Sequence, residues 1–248
     1  MATKKLKNAP LKEAIFELFW RLPLDQTKFP YDPDFDLAQG KFDDIIKQYF
    51  PIHKRTLPAG VNVKIYPKPI HQYWSAELTW PVIQFGPGIL TINDTDKNYE
   101  WSSFSRNIEI ALEGLILSYK KELPFNRISL RYIDSIDLPD EIADPREYLS
   151  TNFQTQIINN YNVPGSLSDL NINQVFGLAD QTKLNINIQT AKNNFNKKRA
   201  IVWITGAEKK IEGLTKEEIV AWARDKHDVL SKTFVNMLNP EFYAAFDR

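Results

Sequence analysis

The chain has 248 residues, 43% of them apolar and 25% charged, enough for one large domain or two small ones. Its 31 basic residues balance 31 acidic ones, which argues against a strongly basic nucleic-acid binder and against an acidic disordered tail. There is no cysteine, which excludes disulfides, cysteine zinc sites, thiol nucleophiles and iron–sulfur clusters, and only His53, His71 and His227 remain for imidazole chemistry.

In chain order, Lys4, Lys5 and Lys7 precede a charged stretch at 11–17 where a signal peptide would carry its apolar core, so a cytoplasmic protein is expected. Residues 13–21 alternate, with Ala14, Phe16, Leu18 and Trp20 on one face of a strand. After the Leu22-Pro23 turn, Asp32-Pro33 opens a helix carrying Leu37, Phe42, Ile45, Ile46 and Tyr49. Short strands follow at about 61–66, 72–78, 81–85 and 89–93. A long helix over 102–122 places Ile108, Leu112, Leu115 and Tyr119 on one face. With Glu109 and Glu113 inside it, that helix is no membrane span.

The second half repeats the order. A strand at 125–137 carries Ile128, Leu130 and Tyr132, and Leu138-Pro139 follows it as Leu22-Pro23 follows the first. Asp144-Pro145 then opens a helix expected to run through Leu149, Phe153, Ile157, Ile158 and Tyr161. The two Asp-Pro pairs, the two Ile-Ile pairs and the tyrosines Tyr49 and Tyr161 all share one offset of 112. Strands follow at 171–178, 183–189 and 199–205, and Thr215 with Glu218 has the spacing of a capping box before a last helix.

The fold expected is therefore α+β, an internal duplication of β-α-β(3–4)-α units with mainly antiparallel sheets. The repeats are 1–123 and 124–248, packed as one globular unit. The element order resembles that of the TATA-binding-protein family, a saddle with one open sheet face, and the resemblance implies no function. Two sheets folded around one core is the alternative. In a saddle, Glu13 and Glu17 on the first strand could meet Arg127 and Arg131 on its repeat mate.

The opening Asn8-Ala9-Pro10-Leu11-Lys12-Glu13-Ala14-Ile15-Phe16-Glu17 resembles that of a sporadically distributed bacterial protein family of unknown function and of about this length. The strand Ile128-Ser129-Leu130-Arg131-Tyr132-Ile133-Asp134 and the helix start Tyr99-x-Trp101-x-x-Phe104 resemble further signatures of that family. The resemblance implies a bacterial, horizontally transferred gene of the kind seen in phage defence, toxin–antitoxin and immunity systems. It implies no catalytic residue.

Chemical motifs are sparse. Gly86-Pro87-Gly88 lies between two strands and reads as a hairpin, with no phosphate-binding glycine pattern anywhere. Asn93-Asp94-Thr95-Asp96-Lys97-Asn98 has calcium-loop flavour, but Tyr99 and Ser105 stand where the turn glycine and bidentate glutamate belong. His53 and His71 fall in different segments, and the acid pairs Asp43-Asp44 and Glu217-Glu218 suit the polar faces and first turns of helices.

No catalytic residue, cofactor or metal is therefore expected. The expected function is non-catalytic binding of a protein partner or of a second copy, in a phage-defence or toxin–antitoxin setting. A nucleic-acid binder using an open sheet face is the alternative, and an enzyme whose acidic site assembles only in the fold is the second. The candidate interaction surface comprises Asn171, Asn173, Asn185 and Asn187 on one sheet face, the basic tip Lys197, Lys198 and Arg199, and the aromatics Trp74 and Trp101.

Overall fold

The computed structural model describes residues 5–58, 68–77, 79–95, 97–161, 163–192, 198–210 and 212–247. The first half supplies β1 (Leu11–Trp20), α1 (Phe35–Ile46), β2 (Ile52–Arg55), β3 (His71–Trp74), β4 (Val82–Gly86), β5 (Ile89–Asp94) and α2 (Trp101–Ser118). The second supplies β6 (Phe125–Asp137), α3 (Pro145–Asn152), β7 (Asn171–Gly177), β8 (Lys183–Lys192), β9 (Arg199–Lys210), α4 (Lys216–Met237) and α5 (Pro240–Ala245). Among the described residues the nine strands form one open antiparallel sheet in the order β2-β3-β4-β5-β1-β6-β9-β8-β7. The protein is thus α+β, with one sheet and not two. Counted outward from β1 the order is β5, β4, β3, β2; counted outward from β6 it is β9, β8, β7. The strand expected at 61–66 lies outside the described residues, whereas β2 and α5 were not anticipated.

The chain divides into two compact units, one of residues 13–130 with 208–225, the other of 1–12, 131–207 and 226–248. In the first, Ala14, Phe16, Leu18 and Trp20 are buried as their alternation predicts, and β1 pairs with β5 so that Phe16 faces Ile92 and Leu18 faces Leu90. Phe35, Ala38, Phe42 and Ile46 form the buried stripe of α1. The Phe42 ring lies 4.7 Å from Phe85 and 5.3 Å from Tyr73, seating α1 on β3 and β4. The turn after β4 is the expected hairpin. A Cβ at Gly86 would sit 1.8 Å from the Lys68 carbonyl oxygen, so only glycine admits the chain there.

In the second unit the core gathers Tyr148, Leu149, Phe153, Ile186, Ile188, Ile201, Trp203 and Leu238. Trp203 is fully buried, edge-on to Phe153 at 5.2 Å and stacked on Phe234 at 6.3 Å. Asp144 caps α3 by accepting from the Arg146 N–H at 2.9 Å, and Pro145 takes the first turn. The helix ends at Asn152, nine residues before Tyr161, which corrects the longer helix read from the sequence. The cause is pairing with the C-terminal segment: Phe153 bridges Leu238, the Gln154 N–H donates to the Met237 carbonyl, and the Asn239 N–H donates to Asn152. Ile158 and Tyr161 are left exposed.

The capping box forms as expected. The Glu218 N–H donates to Thr215 Oγ1 at 3.2 Å, and the Thr215 N–H donates to Glu218 Oε2 at 2.8 Å.

Candidate interaction surface

Among the described residues β7 is the terminal strand of the sheet and pairs with β8 on one side only. Its register sets Ile172 opposite Ile188, Gln174 opposite Ile186 and Phe176 opposite Leu184, which continues the apolar face of β8 outward. Asn171, Asn173 and Val175 therefore share the other face with Gln189, Asn187 and Asn185. The four asparagines read from the sequence are brought together here, and Asn187 Nδ2 donates to Asn171 Oδ1 at 2.8 Å.

The backbone of β7 has a definite polarity. Beyond its two ends, the Leu178 N–H donates to the Thr182 carbonyl and the Thr190 N–H donates to the Leu170 carbonyl. In an antiparallel pair, residues exchanging such bonds alternate with residues that turn both groups away. The even-numbered residues of β7 thus bond to β8, and Asn171, Asn173, Val175 and Gly177 aim N–H and C=O outward. The strand, Asn-Ile-Asn-Gln-Val-Phe-Gly, is without charge or proline, and Val175 and Phe176 are 54% and 46% exposed. The opposite edge differs. β2 has four residues, Ile-His-Lys-Arg, and its length and charge are the usual protection of a sheet edge.

Lys197 lies outside the described residues. Lys198 Nζ stands 4.0 Å from Asp140 Oδ2 and is exposed. Arg199 departs from a free basic tip, because its guanidinium donates to the backbone carbonyls of Ala143 and Ile142 and anchors the segment before α3. Trp74 is buried edge-on to Trp80 at 5.2 Å, with its indole N–H lacking an acceptor among the described residues. It is a core residue. Trp101 opens α2 half-buried, lining a crevice with Val220, Ala223 and Arg224.

One cluster escaped the sequence reading. β2 and β3 pair so that His53 faces Tyr73 and Arg55 faces His71, which brings two histidines 18 residues apart together. His53 Nδ1 is 3.3 Å from Asp43 Oδ1 of α1, and His53 Nε2 is 2.8 Å from His71 Nδ1. The His53 ring stacks on Tyr73 at 4.7 Å, and Gln39 Nε2 donates to the Tyr73 hydroxyl. Burial, reinforced by the neighbouring His53 and Arg55, lowers the His71 pKa to about 4. Asp43, His53 and His71 thus form a carboxylate–imidazole–imidazole chain between α1 and the strands β2 and β3. Among the described residues, no group of three or more His, Asp or Glu side chains is placed to hold a metal ion. Asp96 of the calcium-like loop lies outside the described residues, and Asp94 belongs to β5 and is buried.

Glu13 accepts from Asn93 at 2.7 Å and Glu17 accepts from Ser129 at 2.8 Å. Arg127 lies 3.6 Å over the Phe19 ring and 3.9 Å from Glu208. A shallow cleft of about 460 Å³ lies among Tyr49, Ser103, Arg106 and Asn107. No helix among the described residues is long and apolar enough to cross a membrane. No known family model matches this chain, and no curated protein matches it in sequence.

Proposed function

We propose that this is a non-catalytic binding protein whose binding element is the outer edge of β7, where an extended segment of a protein partner adds as a further strand. One observation carries the reading: a seven-residue terminal strand, uncharged and free of proline, that turns four residues' backbone groups outward. Sheet edges are ordinarily shortened, charged or covered, because an open edge templates pairing with another chain. In strand addition the main chain supplies affinity and alternate side chains supply selectivity. Exposed Val175 and Phe176 would do the second. A phage-defence or toxin–antitoxin setting, implied by the family resemblance, belongs to the same proposal.

The test is capture from host cells by tagged wild type and by the Val175→Pro variant. Proline removes an outward N–H that β8 does not use, so the fold should survive. A stoichiometric protein that resists nuclease and is lost with Val175→Pro is the expected result. Equal capture by both forms overturns the edge reading. A nuclease-sensitive species that salt removes would instead favour nucleic acid on the asparagine face.

The duplication read from the sequence is proposed on the same footing. Two things support it: the matching strand order outward from β1 and β6, and the bond between Glu17 and Ser129, 112 residues apart, the offset of the repeat.

A further inference from the structure

We infer that the occupant of the β7 edge is a second copy of this chain, paired antiparallel about a two-fold axis through Gln174. The inference rests on the reading of β7 as a binding edge and goes further by fixing partner and register. The outward residues Asn171, Asn173, Val175 and Gly177 are placed symmetrically about Gln174. An antiparallel copy in that register sets Asn171 against Gly177 and Asn173 against Val175, each pair occurring twice. Every outward N–H then meets an outward carbonyl, giving about eight backbone hydrogen bonds.

The side chains fit the same register. On the face continued from β8, Ile172 of one copy lies opposite Phe176 of the other, and the reverse, an aliphatic–aromatic pair of the kind that stabilises neighbouring strands. The half-exposed Phe176 thereby gains an apolar neighbour. On the other face Asn173 meets Val175. Shifting the copy by two residues breaks both Ile172–Phe176 pairs and leaves outward groups at the ends without partners. The strand carries no charge, so two copies meet without like-charge repulsion. A charged β2 edge lacks that property.

The absence of cysteine makes the register testable with one substitution. Gln174 bonds to β8, so across the two-fold it faces its own copy as a non-hydrogen-bonded pair with Cα atoms about 4.5 Å apart. That separation lies within the range of about 4.4–6.8 Å that a disulfide spans. Wild type should sediment at twice the mass of the chain. Gln174→Cys should give a disulfide-linked dimer under mild oxidation. Asn171→Cys, whose mate is Gly177, should not. Gln174→Lys and Gln174→Glu should each dissociate, and an equimolar mixture should re-form the dimer, which a folding defect in either variant could not produce.

Monomeric wild type at the highest concentration reached would overturn the inference. It would leave the β7 edge reading to the capture experiment, where loss of a foreign protein with Val175→Pro would still support it. A wild-type dimer in which Gln174→Cys fails to cross-link would overturn it too, because the copies would then meet elsewhere.

Discussion

Asp134 offers the sharpest energetic test of the fold. It follows Ile128, Leu130 and Tyr132 on the buried side of β6 and is 4% exposed. Burial raises its pKa from 3.8 to about 8, with Lys12 pulling it down. The unfolded chain releases this proton near pH 3.8, whereas the folded chain holds it to about pH 8. Between those values the folded state binds more protons, so stability falls as pH rises. The slope is about 1.4 kcal/mol per pH unit, and the loss reaches about 4 kcal/mol by pH 7 relative to pH 4. Asp134→Asn removes the ionisation. The buried amide has its own cost, but that cost does not vary with pH. The informative quantity is therefore the change in the difference between the two proteins. Thermal unfolding followed at pH 4, 5, 6 and 7 should show the variant gaining on wild type steadily. At about 2–4 °C per kcal/mol for a chain of this size, the relative gain is about 10 °C across that interval. Parallel pH profiles for the two proteins would refute the reasoning and place a solvated, ionised carboxylate at position 134.

Three further outcomes follow from the packing and the titrating groups. Gly86→Ala forces a Cβ against the Lys68 carbonyl oxygen and should destabilise by more than the usual 1–3 kcal/mol of an overpacked site, read as a lowered denaturant midpoint. Thr215→Ala removes one half of the capping box and should cost about 1 kcal/mol, which Glu218→Ala should not add to in full because the two bonds form one unit. His71 and His227 both have pKa values lowered to about 4 by burial, His227 beside the Tyr132 hydroxyl at 2.8 Å. As pH falls below 6.5, the unfolded chain takes protons that the folded chain refuses until about pH 4. Stability should therefore drop through that window, and the His71→Gln, His227→Gln double variant should flatten this acid limb in equilibrium unfolding.

Much of the architecture was legible in local pattern. β1, β6 and β8 alternate because one face of each is buried more deeply. The parity read for Phe16, Leu18, Ile128, Leu130, Ile186 and Ile188 matches the burial observed, although Ile15 and Ser129 are buried on the other face. The start of α4 was legible for the same kind of reason, since Thr215 and Glu218 satisfy each other within one turn. The asparagine face could be read from parity, although parity cannot say whether such a strand lies inside a sheet or at its rim. The shortened α3 was not legible, because the bonds that end it come from residues 237–239. Arg199 looked like part of a basic tip until its carbonyl partners at 142 and 143 were known.

The sequence by itself therefore determined the class of the fold, the alternation that assigns each strand a buried face, the helix start at Thr215 and the absence of cysteine chemistry. These depend on neighbours within a turn or a strand. Tertiary structure alone decided that β7 is an edge, that Asp43, His53 and His71 form a chain, and that Asp134 lies out of water. Each of those depends on which distant strand or helix lies alongside. Strand order is set by the summed burial of many side chains, and no local pattern records it.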